Sequence, residues 1–202
     1  DLQTAIDLAP EHISWYQLTI EPNTVFYSRP QQLPDDDYLF DMAEQGQRLL
    51  GSAGYQRYEI SAYANTDKQS AHNLNYWRFG DYLGIGAGAH GKLSTPTGIF
   101  RRSKTRMPLD YRQRKNKLAS QEAIKTKDLP FEFMLNALRL VDGFDLKTFV
   151  ERTGLLSTSI ESQLRQLESN QLLTLRHVDN ESKATAEPTE RGMHLHNTLV
   201  SS

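Results

Sequence analysis

The amino-acid sequence predicts two domains of different fold class, an α/β domain over residues 1–116 and an α+β, mostly helical domain over residues 117–202. Segments typical of a strand, a helix and a second strand occupy the first third of the chain. A stretch rich in glycine and aromatic residues follows, and short amphipathic helices with two short strands fill the C-terminal part. Alternating strands and helices indicate an α/β fold, whereas segregated helices and strands indicate an α+β fold.

The first domain begins with a predicted βαβ unit. The apolar and β-branched run His12–Ile20 indicates a buried strand, and Glu21–Thr24 closes it with a turn. A helix is predicted from Pro34, which precedes carboxylates suited to a first turn, to the glycine stop at Gly54. Residues 55–64 form the second predicted strand, and the short connections imply parallel strands. Because two strands cannot bury both faces of a parallel sheet, we expect further strands from upstream residues or from a partner chain.

The second domain is predicted to follow the order of a winged-helix fold. From about Leu129 onward, apolar residues recur at helical spacing, and two further helices, two strands and a final helix come after them. The predicted bounds are residues 145–151 and 157–169 for the two helices, 172–178 and 183–187 for the strands, and 188–200 for the final helix.

Composition excludes several classes of function. The formal charge of −2 gives no global field that would attract nucleic acid or an anionic membrane. No apolar run approaches the roughly 18 residues that span a bilayer. The absence of cysteine excludes disulfides, cysteine nucleophiles and cysteine-ligated zinc or iron–sulfur sites within these residues. We expect a cytoplasmic protein, for which peripheral membrane contact stays open. Because the chain opens on Asp1 in a helix-like segment, we also expect it to be part of something longer.

The segment HNLNYW, residues 72–77, is the first candidate site and is predicted to be a loop after the second strand. Tyr76 and Trp77 can stack on a flat, polarisable ligand, and His72 can act as an axial ligand of haem iron. Asn73 adds an amide beside them. The competing interpretation, which the residues alone favour, is that the aromatic pair closes a domain junction while His72 and Asn73 cap turns.

The segment LGIGAGAHG, residues 83–91, is rich in glycine and alanine, so that a ligand or another backbone can approach it closely. It does not match the dinucleotide-binding fingerprint, which requires a further glycine where Ala89 stands. Ligand contact and close backbone packing at a barrel rim are equally consistent with this composition. His90 alone indicates nothing specific.

Charged residues give weaker candidates. Glu21 and Glu59 lie near the ends of predicted parallel strands and could form an acid–base pair, although a lone carboxylate there more often caps a loop. Residues 101–115 hold many cations and could bind carboxylates or phosphate, although a solvated charged face is the simpler interpretation. His194 and His196 fall on different faces of a helix and make poor joint metal ligands.

Taken together, these segments resemble the HemN/HemW family, the oxygen-independent coproporphyrinogen III oxidases and their haem-chaperone relatives. The similarity covers essentially the whole chain, and the order HNxxYW between YEIS and LGxGxGAH is its specific part. Asn23 stands where the family has glycine in E-P-G-T, and Pro188 where the terminal motif has leucine; asparagine tolerates left-handed backbone, so the turn is expected to survive. The matching segments lie within residues 10–22, 54–61, 72–77, 82–90 and 188–197.

The resemblance implies a fold and a set of ligands. It implies that the first domain is the last strands and helix of a partial radical-SAM (β/α) barrel. The full-length protein would hold S-adenosyl-L-methionine and a 4Fe-4S cluster, whose cysteine motif lies upstream in this family. Thr19 would border that cofactor, and His90 replaces an apolar residue that the true oxidases have near a second S-adenosylmethionine. His90 and the complete HNxxYW are similar to the HemW-type chaperone branch, in which this motif is associated with haem. The implied haem-binding residues are His72, as the iron ligand, with Asn73, Tyr76 and Trp77.

The sequence therefore predicts a haem chaperone that binds haem and passes it to an acceptor protein. One alternative is an oxygen-independent coproporphyrinogen III oxidase, and no catalytic residue or activity is expected from this chain alone. A second alternative is a nucleic-acid-binding winged helix. Its recognition helix would carry Arg165 against Glu161 and Glu168, a composition that repels phosphate, so no nucleic-acid partner is expected.

Overall fold

The structure, a computed structural model, describes residues 1–177 and 184–194. The chain divides into two compact units, Asp1–Ser70 and Ala71–Ser202. The domain boundary predicted after residue 116 falls between residues 98–104 and 118–123, which pair as antiparallel strands of one sheet. One sheet therefore contains residues from both sides of the predicted boundary.

The first unit combines short helices with a three-stranded sheet in the order β1-β3-β2. Its elements are α1 (Leu2–Asp7), β1 (His12–Ser14), α2 (Val25–Ser28), α3 (Asp36–Ser52), β2 (Gln56–Glu59) and β3 (Ala62–Ala64).

The βαβ prediction gives the right order of elements, but the parallel pairing is wrong. Residues 55–64 form two strands rather than one, because the chain turns at Ile60 and Ser61 and brings Glu59 opposite Ala62. β3 lies between β1 and β2 and is antiparallel to both. β1 and β2 therefore point the same way without being neighbours in the sheet.

Local sequence signals fix the ends of the helices in this unit. The Asp35 side chain caps α3 by accepting a hydrogen bond from the backbone N–H of Tyr38 at 2.8 Å. Gly54 follows the helix with a φ of 91°, a left-handed value that glycine adopts without strain. Asn23 takes a φ of 64°, so the turn expected to tolerate asparagine in place of glycine does form.

The core of the first unit is small and partly aromatic. Ile13, Leu50, Tyr55 and Tyr63 are buried together. Trp15 packs against this cluster so closely that a Cβ at Gly46 of α3 would overlap the indole ring. Gly46 therefore leaves the space beside α3 that the Trp15 ring occupies.

The second unit holds two three-stranded antiparallel sheets, in the orders β4-β5-β6 and β7-β9-β8. Short 3₁₀ turns precede α6 and α8. The elements are α4 (Ala71–Trp77), β4 (His90–Thr95), β5 (Gly98–Lys104), α5 (Pro108–Gln113), β6 (Leu118–Ala123), α6 (Leu129–Ala137), β7 (Phe144–Asp145), α7 (Leu146–Thr153), α8 (Glu161–Ser169), β8 (Leu173–His177), β9 (Ala184–Pro188) and α9 (Glu190–His194).

Four phenylalanine rings form the centre of the core of the second unit. Phe133 of α6 is fully buried, and Phe79, Phe144 and Phe149 meet its ring edge-on at centroid distances of 5.7, 5.0 and 5.2 Å. Edge-to-face contacts of this kind stabilise aromatic pairs beyond the area that they bury. Because Phe79 directly follows α4 and its turn, this cluster anchors the end of the HNLNYW segment.

The C-terminal elements follow the predicted order of three helices and two strands, and the short strand β7, which was not predicted, lies between the first two helices. The connection between β8 and β9, where a wing would lie, falls outside the described residues, as do Leu195, His196, Leu199 and Val200 of the predicted final helix. The winged-helix assignment therefore stays a prediction. Within residues 1–177 and 184–194, the three sheets are separate and no closed barrel forms.

Substituting Gly143 by alanine is expected to destabilise the β7-β9-β8 sheet by about 2–3 kcal/mol. Gly143 has a φ of 59°, and an added Cβ would overlap the backbone carbonyl of Ala186 in β9. Gly154 is the matched control, because its φ is 72° but its Cβ position is open. Gly154→Ala should cost only the backbone penalty of about 1 kcal/mol. Amide hydrogen exchange in β8 and β9 measures both losses, and equal losses would contradict the steric argument.

Candidate functional site

The HNLNYW segment forms helix α4 (Ala71–Trp77), so the prediction of a loop is wrong. Asparagine, histidine and aromatic residues are weak helix formers, and the sequence pattern gave no helical signal here. Tertiary contacts outweigh that weak propensity, because the turn after the helix is anchored in the phenylalanine cluster. The helix places residues three or four positions apart on one face.

His72 and Tyr76 lie on the same face of α4, one turn apart. Their ring centroids are 4.7 Å apart with the planes tilted by 59°, and the His72 side chain is exposed. Tyr76 in turn stacks on Tyr82, with a centroid distance of 4.1 Å and an interplanar angle of 29°. A series of three rings therefore runs from an exposed imidazole to Tyr82.

Burial raises the pKa of the Tyr76 phenol above its ordinary value, and neighbouring Tyr82 raises it further. A raised pKa keeps the phenol protonated at neutral pH. On this face His72 offers an exposed ring nitrogen, and Tyr76 contributes ring contacts to His72 and Tyr82.

Asn73 and Trp77 lie on a different face of α4, and Trp77 packs against the second unit. The guanidinium of Arg139 lies 4.3 Å from the centroid of the Trp77 ring, a cation–π contact. The indole nitrogen of Trp77 is buried and has no hydrogen-bond partner among the described residues. Trp77 thus packs against Arg139 within the second unit, and the four predicted haem-binding residues fall on two faces of α4, His72 with Tyr76 and Asn73 with Trp77.

The turn after α4 positions Tyr82. Phe79 adopts a φ of 55°, which is costly for a bulky residue, and its ring is buried in the core. The N–H of Gly80 donates to the carbonyl of Asn75 at 2.7 Å, and a Cβ at Gly80 would overlap the Asn75 side chain. The Asn75 amide donates to the carbonyl of Asp81 at 2.9 Å. The chain therefore leaves the helix in one defined direction.

An ion pair fixes this turn to β4. The Asp81 carboxylate accepts hydrogen bonds from the ammonium of Lys92 at 3.0 Å and from the backbone N–H of Ser94 at 2.8 Å. The Lys92 side chain is only 3% exposed, and its ammonium lies 4.1 Å from the centroid of the Phe79 ring. Tyr82 and Lys92 also exchange two backbone hydrogen bonds. Tyr82 is thereby held against the sheet.

The pKa values of this pair move for different reasons. For Asp81, burial alone would raise the pKa, but the N–H of Ser94 and the ammonium of Lys92 outweigh it and lower the pKa. For Lys92, burial is the dominant cause and lowers the pKa, against the opposing effect of Asp81. At each group the partner's charge therefore opposes the effect of burial on the pKa.

The glycine run packs backbone against backbone, which is one of its two predicted roles. A Cβ at Gly84 would overlap the carbonyl of His90, and one at Gly91 would crowd the carbonyl of Tyr82. The N–H of Gly86 donates to the Tyr111 hydroxyl at 3.1 Å, and that of Gly88 to the carbonyl of Thr105 at 2.9 Å. The run lies along the end of the β4-β5-β6 sheet.

A small cavity remains between this run and the sheet. It has a volume of about 40 Å³ and is lined in part by Tyr82, Gly84, Ala89, Gly91, Arg102 and Lys104. Tyr82 belongs both to this lining and to the ring series that begins at His72. The cavity and the exposed imidazole therefore flank the same tyrosine pair.

The two residues predicted to bind cofactor lie in different units. His90 begins β4, and its side chain is exposed and opposite Ser103 of β5. Thr19 is exposed in the first unit, in the segment between β1 and α2 that has no regular structure. The two assignments stay predictions.

The weaker charged candidates have structural roles. The Glu59 side chain is buried and accepts a hydrogen bond from the N–H of Ser61 at 3.0 Å, which closes the β2–β3 turn. Glu21 is exposed, and its carbonyl accepts a bond from the Thr24 hydroxyl at 2.7 Å. On the predicted recognition helix α8, Arg165 pairs with Glu161 at 2.7 Å, which leaves little free positive charge for phosphate.

The described residues bear on metal binding and on membrane spanning as follows. No group of three or more His, Cys, Asp or Glu side chains that could hold a metal ion occurs in residues 1–177 and 184–194. None of the helices over the same residues is both long and apolar enough to cross a bilayer. A haem site differs from such a metal site, because the porphyrin supplies most of the iron ligands and the protein need offer only an axial one.

Comparison with known proteins gives the fold class first. The structure matches that of a coproporphyrinogen III oxidase (HemN) from Escherichia coli, described as a radical SAM enzyme, with a TM-score of 0.69 and 16% identity over 99% of this chain and 49% of that chain. At that identity the match shows the fold alone. The family model of the HemN C-terminal domain matches residues 124–178.

Sequence relatives give the family. The chain is 53% identical over 175 residues to the heme chaperone HemW of Escherichia coli, covering 86% of this chain and 46% of the relative. It is 54% identical over 165 residues to HemW of Haemophilus influenzae, covering 81% and 43% respectively. The chain spans about half the length of the curated relatives that it matches. It belongs to the radical-SAM coproporphyrinogen III oxidase-like family, which includes HemN and HemW.

Several residues of this site were not found from the sequence. Asp81 lies 11 positions before Lys92 and 13 before Ser94, and no spacing rule links it to them. Nothing in the sequence indicated the role of Phe79, because its left-handed φ depends on the burial of its ring in the folded protein. The one local hint was Lys92, at the third position of the strand HGKLST. A lysine is rarely buried without a charged partner, so a lysine inside a strand indicates a carboxylate nearby.

Proposed function

We propose that the protein is a haem chaperone, in which the second unit binds haem on the outward face of α4 and the full-length protein passes it to an acceptor. The observation that carries the proposal is the exposed imidazole of His72, backed by the Tyr76–Tyr82 stack. The identity to HemW proteins supports the chaperone branch over the oxidase branch. The proposal places the protein in the cytoplasm.

The residues of this face fit haem. When bound, haem would supply an iron atom with an axial position open to an imidazole nitrogen. His72 would offer that nitrogen from a helix whose end is fixed by the Phe79 ring and the Asp81–Lys92 pair. Tyr76 would keep the imidazole in place through the ring contact at 4.7 Å. Trp77 and Asn73 would support the helix from its packed side.

The iron–sulfur cluster is outside the reach of this chain's own chemistry. The 202 residues contain no cysteine and so supply no thiolate to a 4Fe-4S cluster. In the full-length protein, a cluster with S-adenosylmethionine would be held by other residues. The second candidate function, oxidative decarboxylation of coproporphyrinogen III, is favoured only by the likeness in fold to HemN.

One experiment separates the two functions. The full-length protein is purified without haem and titrated with haem, and the loaded protein is mixed with an apo-haemoprotein. A second sample, reconstituted anaerobically with iron and sulfide, is supplied with S-adenosylmethionine, a one-electron reductant, an electron acceptor and coproporphyrinogen III. We expect stoichiometric haem binding, transfer to the apo-haemoprotein and no decarboxylation. Decarboxylation without stable haem binding would assign the protein to the oxidases.

A further inference from the structure

We propose that the cavity beneath the glycine run is a carboxylate-binding subsite, in which Arg102 and Lys104 take a propionate of the haem bound at α4. The inference rests on the proposed function for the identity of the ligand. Independently of that function, the lining of the cavity combines two cations with an aromatic ring and with glycines that leave room beside them.

The size of the cavity suits one end group rather than a whole ligand. Sites that enclose complete cofactors usually measure 300 Å³ or more, roughly. A volume of about 40 Å³ accommodates a group such as a carboxylate or a water molecule. A ligand that uses this cavity must therefore have most of its body elsewhere and an end group that reaches in.

The charge of the cavity is positive and unneutralised within the described residues. Arg101, on the same strand, is paired with Glu132 of α6. Arg102 and Lys104 form no salt bridge in the described part of the chain, and the Nε–H of Arg102 is buried there without an acceptor. A buried donor without an acceptor is costly, so a bound anion would satisfy it. A carboxylate matches the guanidinium through two parallel hydrogen bonds.

The strand register explains why there is room beside Arg102. Gly91 of β4 lies directly opposite Arg102, and Gln121 of β6 lies on its other side. Neither neighbour is a carboxylate, and glycine contributes no side chain to fill the space. Gly84 comes close to the β4 backbone and contributes no side chain to the cavity either. The sheet therefore presents a cation with an open side.

The position of the cavity suits an amphipathic ligand. Tyr82 lines it and stacks on Tyr76, which contacts His72. The adjoining side chains of Leu83 and Ile85 are apolar and are 73% and 86% exposed. A flat apolar ligand carrying edge carboxylates would meet rings and apolar side chains with its body and cations with its edge. Haem has this chemistry, and so in part does S-adenosylmethionine, which has one carboxylate.

The test compares haem with haem dimethyl ester, in which both propionates are blocked. In the full-length protein, Arg102→Gln and Lys104→Gln should each weaken haem binding about 10-fold or more, as loss of a charge-assisted hydrogen bond does. Both variants should bind the dimethyl ester as tightly as the wild-type protein does. Arg112→Gln is the matched control, because Arg112 is an exposed arginine of the same basic stretch and lies outside the cavity lining. It should bind haem as the wild type does.

Each contrary result has a distinct meaning. Equal weakening toward haem and its ester would show a folding defect and overturn the subsite. Unchanged haem binding in both variants would also overturn it, while leaving haem binding at α4 intact. Weakened binding of S-adenosylmethionine with unchanged haem binding would assign the carboxylate to that cofactor and overturn the propionate contact. Failure of the wild type to bind haem would instead reject the proposed function, and the propionate contact with it.

Discussion

Replacing His72 with alanine is expected to lower the affinity of the full-length protein for haem by on the order of 100-fold and to remove the Soret band of a histidine-ligated haem. Changes to residues that only orient a metal ligand typically cost about 10- to 100-fold in affinity, so loss of the ligand itself belongs at or above the top of that range. The reason is structural, since His72 is the exposed imidazole on the face of α4 that Tyr76 backs. Spectroscopic titration with haem measures both quantities.

Controls separate loss of a ligand from loss of structure. His90→Ala removes another exposed histidine of the second unit and should perturb the spectrum much less. Adding free imidazole to His72→Ala should restore the ligated Soret band, which a collapsed helix would not allow. Asn73→Ala should weaken binding about 10-fold while the band stays that of a histidine ligand. A wild-type spectrum and affinity in His72→Ala would remove His72 from the site.

Tyr76 should act through stacking rather than through its hydroxyl. Tyr76→Phe keeps the ring contacts with His72 and Tyr82 and removes the phenol. Because those ring contacts remain, this variant should retain the wild-type Soret band. A large spectral change in Tyr76→Phe together with a small one in His72→Ala would exchange the roles of the two residues.

Local signals in the sequence predicted the local structure well. Helix starts were predicted at Pro34 and at residue 145, and Asp35 and Asp145 cap α3 and α7 there. Asn23 and Gly54 take the left-handed backbone for which they were singled out. Each of these features depends on one residue and its nearest neighbours along the chain, which is the range over which sequence patterns carry physical information.

Features that depend on distant residues were missed. The turn at Ile60 and Ser61 contains no glycine or proline, so no local sequence signal indicated that residues 55–64 form two antiparallel strands. Helix α4 has weak intrinsic propensity and owes its stability to contacts made by the residues that follow it. Had HNxxYW been assigned to a helix, the spacing of four would have predicted the contact between His72 and Tyr76. The HNxxYW motif could thus be recognised from the sequence, but the arrangement of its side chains could not.

Replacing Asp81 with alanine is expected to destabilise the second unit more than any other single change at the site, by about 3 kcal/mol. The substitution leaves the ammonium of Lys92 buried without its carboxylate partner, and it also frees the N–H of Ser94. Breaking a fully buried pair costs about 3–5 kcal/mol. The low end applies here because the Asp81 side chain is 39% exposed. Hydrogen exchange at the amides of β4 in the full-length protein reports this local stability.

The matched variant Lys92→Met should cost less, about 1 kcal/mol. Methionine fills a similar volume over the Phe79 ring, and the partly exposed Asp81 carboxylate keeps its bonds to Ser94. In the double variant Asp81→Ala with Lys92→Met, the loss should be well below the sum of the two single losses, because no buried charge is left unpaired. Additive losses would show that the two side chains do not act as a pair.

The pH dependence of Asp81→Ala follows from the directions of the two pKa shifts. The folded-state pKa of Asp81 is lowered, so its stabilising effect is present above the unfolded value of about 3.9 and is lost as the pH falls through the folded value. The difference in free energy of unfolding between wild type and Asp81→Ala should therefore shrink in acid.

The folded-state pKa of Lys92 is lowered by burial, and removing Asp81 lowers it further. Between this folded-state pKa and the unfolded value of about 10.4, the unfolded chain binds more protons, so Asp81→Ala should recover stability relative to wild type as the pH rises through that window. A difference that stays constant between pH 4 and pH 10, roughly, would show that the charge of Lys92 is not what Asp81 offsets.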